Sequence, residues 1–175
     1  RKDNVGPSLL LLTAESAGDS VTLHWGGKRS YDVTFNTIFE VRCKLAAASS
    51  PTYVRIELGL RYDATNKIVF RVFEDVGGSA NWKTVTYSGG ASTVKDTGVA
   101  LTNTKWHTFR IVCQGTGGSD SRVDFFIDGN LVATHSNTNG ENVPTEYLEP
   151  YLFITTASGT KMLCVDYVEL MQIAA

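Results

Sequence analysis

Long apolar runs are missing from this chain. The longest near the start, Leu9 to Leu12, is too short to cross a bilayer or to form a signal-peptide core. There is no surplus of one charge either: 16 Lys and Arg stand against 18 Asp and Glu, with a net charge of -2. A chain so balanced lacks the basic excess with which proteins grip phosphate backbones, so nucleic acid is not an expected partner. Cysteine is sparse. Cys43, Cys113 and Cys164 match no zinc or redox spacing, and each sits in an apolar run. They read as small core residues, with one disulfide plus a free thiol as the alternative. No Asn-x-Ser/Thr sequon occurs, which disfavours a glycosylated eukaryotic secreted protein against a bacterial or viral one. His24, His107 and His135 share no metal spacing. The sequence opens on Arg1 without a methionine, as expected of a processed product or excised module whose export signal has been lost. Helical periodicity is scarce, and so are nucleophile elbows and phosphate loops.

A period of two, punctuated by Gly, Ser, Asn and Asp, is what the chain has instead. The richest stretch is Trp106 to His135, where alternating runs flank an Asp128-Gly129 step, a strong hairpin signal. Strands are predicted near 8–13, 20–25, 30–35, 37–46, 52–62, 67–75, 82–87, 93–96, 106–114, 122–128, 131–136, 151–156 and 161–172. Many short strands without intervening helices predict an all-β, antiparallel sandwich or barrel. With 175 residues and 42% apolar content, the chain suits one domain over 1–175. Residues 137–150, bounded by Pro144 and Pro150, read as a crossover between sheets.

Strand phase also predicts a surface. Ile56, Leu58 and Leu60 lie on one face, with Arg55, Glu57 and Arg61 on the other. After the Asp63–Asn66 turn, Ile68, Phe70 and Val72 continue the apolar face. Matching the faces pairs Leu58 with Phe70 and Glu57 with Arg71. The preceding strand points Phe39, Val41, Cys43 and Leu45 inward. Three strands are thereby expected to share a polar surface of Glu40, Arg42, Lys44, Arg55, Glu57, Arg61 and Arg71. That surface reads as a solvated face or as a platform for an extended polar ligand.

Taken together, Trp106-His107-Thr108-Phe109-Arg110-Ile111, the hairpin Val123 to Val132 and the closing strand Met162 to Leu170 resemble a concanavalin A-like lectin/glucanase jelly roll, in its laminin-G-like and glycosidase-like branches. The resemblance implies a two-sheet antiparallel jelly-roll sandwich. It covers most of the chain in pattern and is strongest from 106 to 170. More loosely, Pro150 to Thr155 and Val165 to Leu170 resemble domains of bacteriophage tail-fibre, tailspike and capsid-decorating proteins. The superfamily's retaining glycosidases carry an E-x-D-x-E or E-x-D-x-x-E strand, and no such triplet occurs here. Asp128 is explained by its turn, and Asp166 and Glu169 are expected on opposite strand faces. Lyases of this fold carry an R-x-E-x-R strand, of which Arg55-Ile56-Glu57-Leu58-Gly59 keeps only the first half. The resemblance also implies a structural calcium at Asp166, with Glu15 and Asp19 as partners. No other cofactor is required.

Sugar sites want an aromatic plate and polar groups to fix hydroxyls. Trp25, Trp82 and Trp106 are the candidate plates. Trp82 follows the glycine-rich Gly77–Asn81 segment and is read as exposed, or else as a buried strand anchor. The first functional reading is a non-catalytic carbohydrate-binding or adhesin module on an extracellular or virion surface. Trp82, Tyr87 and Phe73 would stack on a glycan while Arg55, Glu57, Arg61 and Arg71 hydrogen-bond it. The second is a structural virion protein that binds identical subunits or virion neighbours. The third is a polysaccharide lyase or hydrolase with an atypical site. None involves membrane insertion.

Overall fold

The computed structural model describes residues 9–27, 31–32, 36–46, 52–73, 81–103, 105–115 and 120–173. The expected strand residues 8, 30, 33–35, 74 and 75 and the glycine-rich lead-in to Asn81 lie outside them. Thirteen strands follow the alternation read from the sequence. They are β1 (Leu9–Leu12), β2 (Ser20–His24), β3 (Tyr31–Asp32), β4 (Asn36–Leu45), β5 (Val54–Arg61), β6 (Lys67–Phe73), β7 (Asn81–Ser88), β8 (Ala91–Ala100), β9 (His107–Gln114), β10 (Arg122–Ile127), β11 (Asn130–Ser136), β12 (Tyr147–Thr156) and β13 (Met162–Ile173). A short 3-10 turn follows β11 at Asn137–Asn139.

The strands form two antiparallel sheets. One runs β1-β13-β4-β9-β10-β11, and the other β2-β12-β5-β6-β7-β8 with β3 paired to β12. Their inward faces meet in one core that includes Phe39, Ile56, Leu58, Phe70, Phe109, Ile111, Phe125 and Leu152, all at most 1% exposed. Each such side chain contributes about 1.5–3 kcal/mol by leaving water. Phe70 anchors the centre, with edge-on contacts to Phe109 at 5.1 Å and Phe125 at 5.2 Å. The β5–β6 register is the expected one: Leu58 faces Phe70 and Glu57 faces Arg71.

The β10–β11 hairpin closes as its Asp-Gly step predicts, with positive φ at Asp128 (52°) and Gly129 (82°). Asp128 caps it, accepting the Thr108 N–H at 2.9 Å and lying 2.8 Å from His107 Nδ1. Burial opposes its ionisation, yet the Thr108 N–H, His107 and Lys105 hold its carboxyl below the usual range. Residues 137–146 carry the chain from one sheet to the other, as expected of a crossover. β12 begins earlier than the sequence suggested, because Pro150 is accommodated inside the strand opposite Leu60.

Three expectations need correction. β4 and β5 do not share a sheet: β4 lies between β13 and β9, while β5 lies between β12 and β6. Glu40, Arg42 and Lys44 therefore point outward from one side of the sandwich, and Arg55, Glu57, Arg61 and Arg71 from the other. Alternation assigns a face within a strand and says nothing about which sheet the strand joins. Second, Asp166 and Glu169 both face outward, because a bulge between Val165 and Tyr167 sets two residues against Arg42. Third, of the three cysteines only Cys43 and Cys113 are buried. Cys164 is half-buried on the outward face of β13, and all three are free thiols.

Candidate functional site

The outward face of the β2–β8 sheet is built in rows by the strand register. One row reads Phe153, Glu57, Arg71, Lys83 and Asp96 across β12, β5, β6, β7 and β8. The next reads Tyr151, Gly59, Val69, Val85 and Val94, and the third Glu149, Arg61, Lys67, Tyr87 and Ser92. Arg55 and Phe73 pair with each other at one end. The sheet thus gathers six of the seven residues expected at a sugar site, Arg55, Glu57, Arg61, Arg71, Tyr87 and Phe73, the last 54% exposed.

Trp82 is the exception. It is 2% exposed, packs on Phe109 with ring centroids 4.5 Å apart, and belongs to the core. The phase of β7 decides this. Lys83, Val85 and Tyr87 take the outward positions, so Trp82, Thr84 and Thr86 must point in. An apolar plate made by other residues does lie in this face, but it is largely covered: Val69 and Val85 are fully buried and Tyr151 is 5% exposed, so mainly the flanking rings reach solvent. Val69, Val85 and Tyr151 form a small cluster flanked by Tyr87 and Phe153, with the Tyr151 and Phe153 rings nearly parallel at 6.1 Å. Gly59 sits opposite Tyr151 with φ at 156°, and a Cβ there would lie 2.2 Å from the Ile68 carbonyl oxygen. Only glycine permits this close approach of β5 and β6.

Charge is arranged around that plate. The Arg61 guanidinium lies 4.8 Å from the Tyr151 ring centroid, and Arg55 lies 5.7 Å from that of Phe153. Glu57, 1% exposed, accepts from Arg55 at 2.6 Å and from Lys67 at 2.9 and 3.1 Å. Burial favours its protonated form, but Lys67 and Arg55 outweigh it and hold the carboxyl below the usual range. Arg71 donates to the Tyr87 hydroxyl at 2.9 Å, and Lys67 lies over the Tyr87 ring. Burial and the Glu57 charge push the Tyr151 hydroxyl up to about 12 despite Arg61, so Tyr151 is a proton donor and no base at neutral pH. A depression of about 250 Å³ opens at one end of the face, lined by Arg55, Arg71, Phe73 and Lys83. At the other end Glu149 accepts the Gly27 N–H at 2.9 Å beside His24 and the exposed Trp25.

The sequence reading missed Tyr151 and Phe153 as members of this face, while strand phase already puts Lys67 on it with Arg71 and Phe73. The alternation of Glu149, Tyr151 and Phe153 was visible, but its adjacency to β5 was not. Asp166 is engaged elsewhere. Its carboxylate pairs with Arg42 at 2.8 Å on the other sheet, where Arg42 and Lys44 flank the Trp106 ring. The expected grouping with Glu15 and Asp19 does not form: among the described residues no three His, Cys, Asp or Glu converge for a metal.

On this face the carboxylates are spread apart, whereas on the other sheet Glu40 and Glu169 are direct cross-strand neighbours. Glu57 and Glu149 are four residues apart along neighbouring strands, about 13 Å, and Asp96 lies three strands from Glu57, about 14 Å. Glycoside hydrolysis needs about 5 Å or about 6.5–9.5 Å.

No family model matches the chain, and no curated protein matches it. Solved structures do. A Crh5 transglycosylase in complex with NAG aligns at a TM-score of 0.68 and 17% identity, over 95% of this chain and 72% of that one. The alginate lyase Aly36B aligns at 0.66 and 10% identity, over 95% and 81%. An endo-1,3-beta-glucanase from Streptomyces sioyaensis aligns at 0.67 and 10% identity, over 96% and 76%. These likenesses concern the fold, and they lend nothing to the looser resemblance to phage proteins. No helix among the described residues is long and apolar enough to cross a membrane. By its two sheets and their strand order, this chain has the concanavalin A-like jelly-roll fold, which it shares with carbohydrate-active enzymes.

Proposed function

We propose that the outward face of the β2–β8 sheet holds an extended polysaccharide outside the cell. The observation that carries this reading is the half-buried Phe153 ring beside Arg55, Arg61, Arg71 and Tyr87. Sugar rings offer one apolar face and a rim of hydroxyls, and this arrangement answers both. Phe73 extends the apolar area at the open end. The structural relatives, a transglycosylase, a lyase and a glucanase by name, agree with a polysaccharide ligand.

A second reading is catalytic, and of the two reactions considered elimination fits the face better than hydrolysis. The Tyr87 hydroxyl is held by Arg71 at 2.9 Å, a pairing able to supply a base and a counter-charge. The hydrolytic alternative lacks a close carboxylate pair on this face, and the pair Glu40–Glu169 lies on the other sheet.

Calorimetric titration of a panel of neutral and acidic polysaccharides tests the binding reading, with Phe73→Ala and Arg61→Ala as controls. Saturable binding weakened by both substitutions is expected. If no polymer binds, or the substitutions leave affinity unchanged, the face is not the site. Ultraviolet absorbance of unsaturated ends and release of reducing ends then decide whether bound polymer is cleaved, and Tyr87→Phe is expected to abolish any elimination.

A further inference from the structure

We infer that the polymer accepted by this face is a carboxylated polysaccharide, and that its carboxylates seat in the depression formed by Arg55, Arg71, Phe73 and Lys83. The inference rests on the reading of the face as a polysaccharide site and names the substrate class.

The chain as a whole is slightly acidic, at -2. Its charge is nonetheless segregated. The rows of this face bring Arg55, Arg61, Lys67, Arg71 and Lys83 together on adjacent strands. Against them the central strands offer one carboxylate, Glu57, which Arg55 and Lys67 already share. Arg71 donates to the Tyr87 hydroxyl and makes no ion pair among the described residues. Lys83 is exposed and faces Asp96, whose Oδ1 is taken by Asn81 and the Gly98 N–H. The buried Nε of Arg55, whose side chain lines the same depression, has no hydrogen-bond partner.

A neutral glycan would leave Arg71 without a counter-ion among the described residues. A carboxylate would accept from Arg71 and Lys83 in charge-assisted bonds, while Phe73 covers the adjoining sugar ring. Cross-strand neighbours sit about 4.8 Å apart, so the Arg71 and Lys83 head groups can converge on one carboxylate. Phosphate polyanions are a distinct class. They demand no apolar surface for pyranose faces, and here the exposed Phe73 ring and the cations line one depression.

The test compares polygalacturonate, the same polymer fully methyl-esterified, a neutral β-glucan and single-stranded DNA. Binding to polygalacturonate is expected to exceed that to its methyl ester by about tenfold or more, and to weaken with added salt. Lys83→Gln, an exposed position, is expected to lower that affinity about fivefold without changing the melting temperature. Arg71→Gln should lower it further, whereas Tyr87→Phe, which keeps every charge, should leave the salt dependence intact. If the methyl ester or the glucan binds as well, the polymer class is wrong while the face remains a sugar site. Equal binding of DNA makes the surface a general polyanion patch and overturns the inference. If none of the four binds, the inference falls, and binding of another neutral glycan would then decide whether the polysaccharide reading survives.

Discussion

The Thr84 hydroxyl on β7 lies 2.8 Å from Nε2 of His135 on β11, a contact that spans the core from one sheet to the other. Thr86 completes it from the same strand, 2.9 Å from Nδ1. His135 is fully buried against Phe125, so both ring nitrogens depend on these hydroxyls. Burial, aided by Lys95 and opposed by Glu141, pushes the imidazole pKa down to about 4.

This makes stability fall in acid. Between pH 6.5 and about 4 the unfolded chain binds a proton at His135 that the folded chain refuses, so stability rises with pH across that window. The full effect is about 3 kcal/mol, present above pH 6.5 and lost as pH falls toward 4. Urea titrations at half-unit intervals should resolve the slope. In His135→Gln the slope over this window should flatten, with lower stability at neutral pH. An unchanged slope would assign it to other groups.

Trp82→Ala should cost about 3–5 kcal/mol, the range for emptying an aromatic site in a core. Trp82→Phe should recover most of that. A Trp82→Ala protein of unchanged stability would contradict the packing against Phe109. Loss of ligand binding in this variant would report unfolding and say nothing about a stacking plate.

Glu57 and Lys67 should prove energetically coupled. Glu57→Gln leaves the buried Lys67 ammonium without its counter-charge and should cost about 3–5 kcal/mol. Adding Lys67→Met should restore much of the loss. A double-mutant cycle measures this directly, and a coupling within error of zero would show that Arg55 alone holds the carboxylate.

Gly59→Ala should destabilise by about 1–3 kcal/mol, because φ of 156° strains an L residue and the new Cβ meets the Ile68 carbonyl oxygen. Val69→Ala on the neighbouring strand makes a useful comparison, since it removes area without steric conflict.

Thiol titration of the native protein should register Cys164 and neither of the others. Burial pushes both inner thiols up, Cys113 to about 12, and keeps reagent out. All three should react after denaturation, and reductant should leave the melting temperature unchanged.

How far these features were legible in advance depended on the range over which they act. The Leu58–Phe70 and Glu57–Arg71 pairings could be read because a four-residue turn and two matching apolar faces leave one register for a hairpin. The Asp128-Gly129 turn could be read because only a few residue pairs tolerate positive φ twice. Trp82 could not be placed from the sequence, because its lead-in suggested exposure while the phase of β7 against β6 and β8 turned it inward. Net charge misled in a similar way: a total near zero concealed a face on which cations collect.

What the sequence by itself determined was the all-β class, the strand phases and the tight turns, since alternation and backbone sterics operate between near neighbours. Only the tertiary structure decided that β4 parts from β5 and that β12 slides in beside it. That exchange removed Glu40, Arg42 and Lys44 from the expected surface and supplied Tyr151 and Phe153. Strand partnership across more than ninety residues follows from filling one shared core, and no local pattern encodes it.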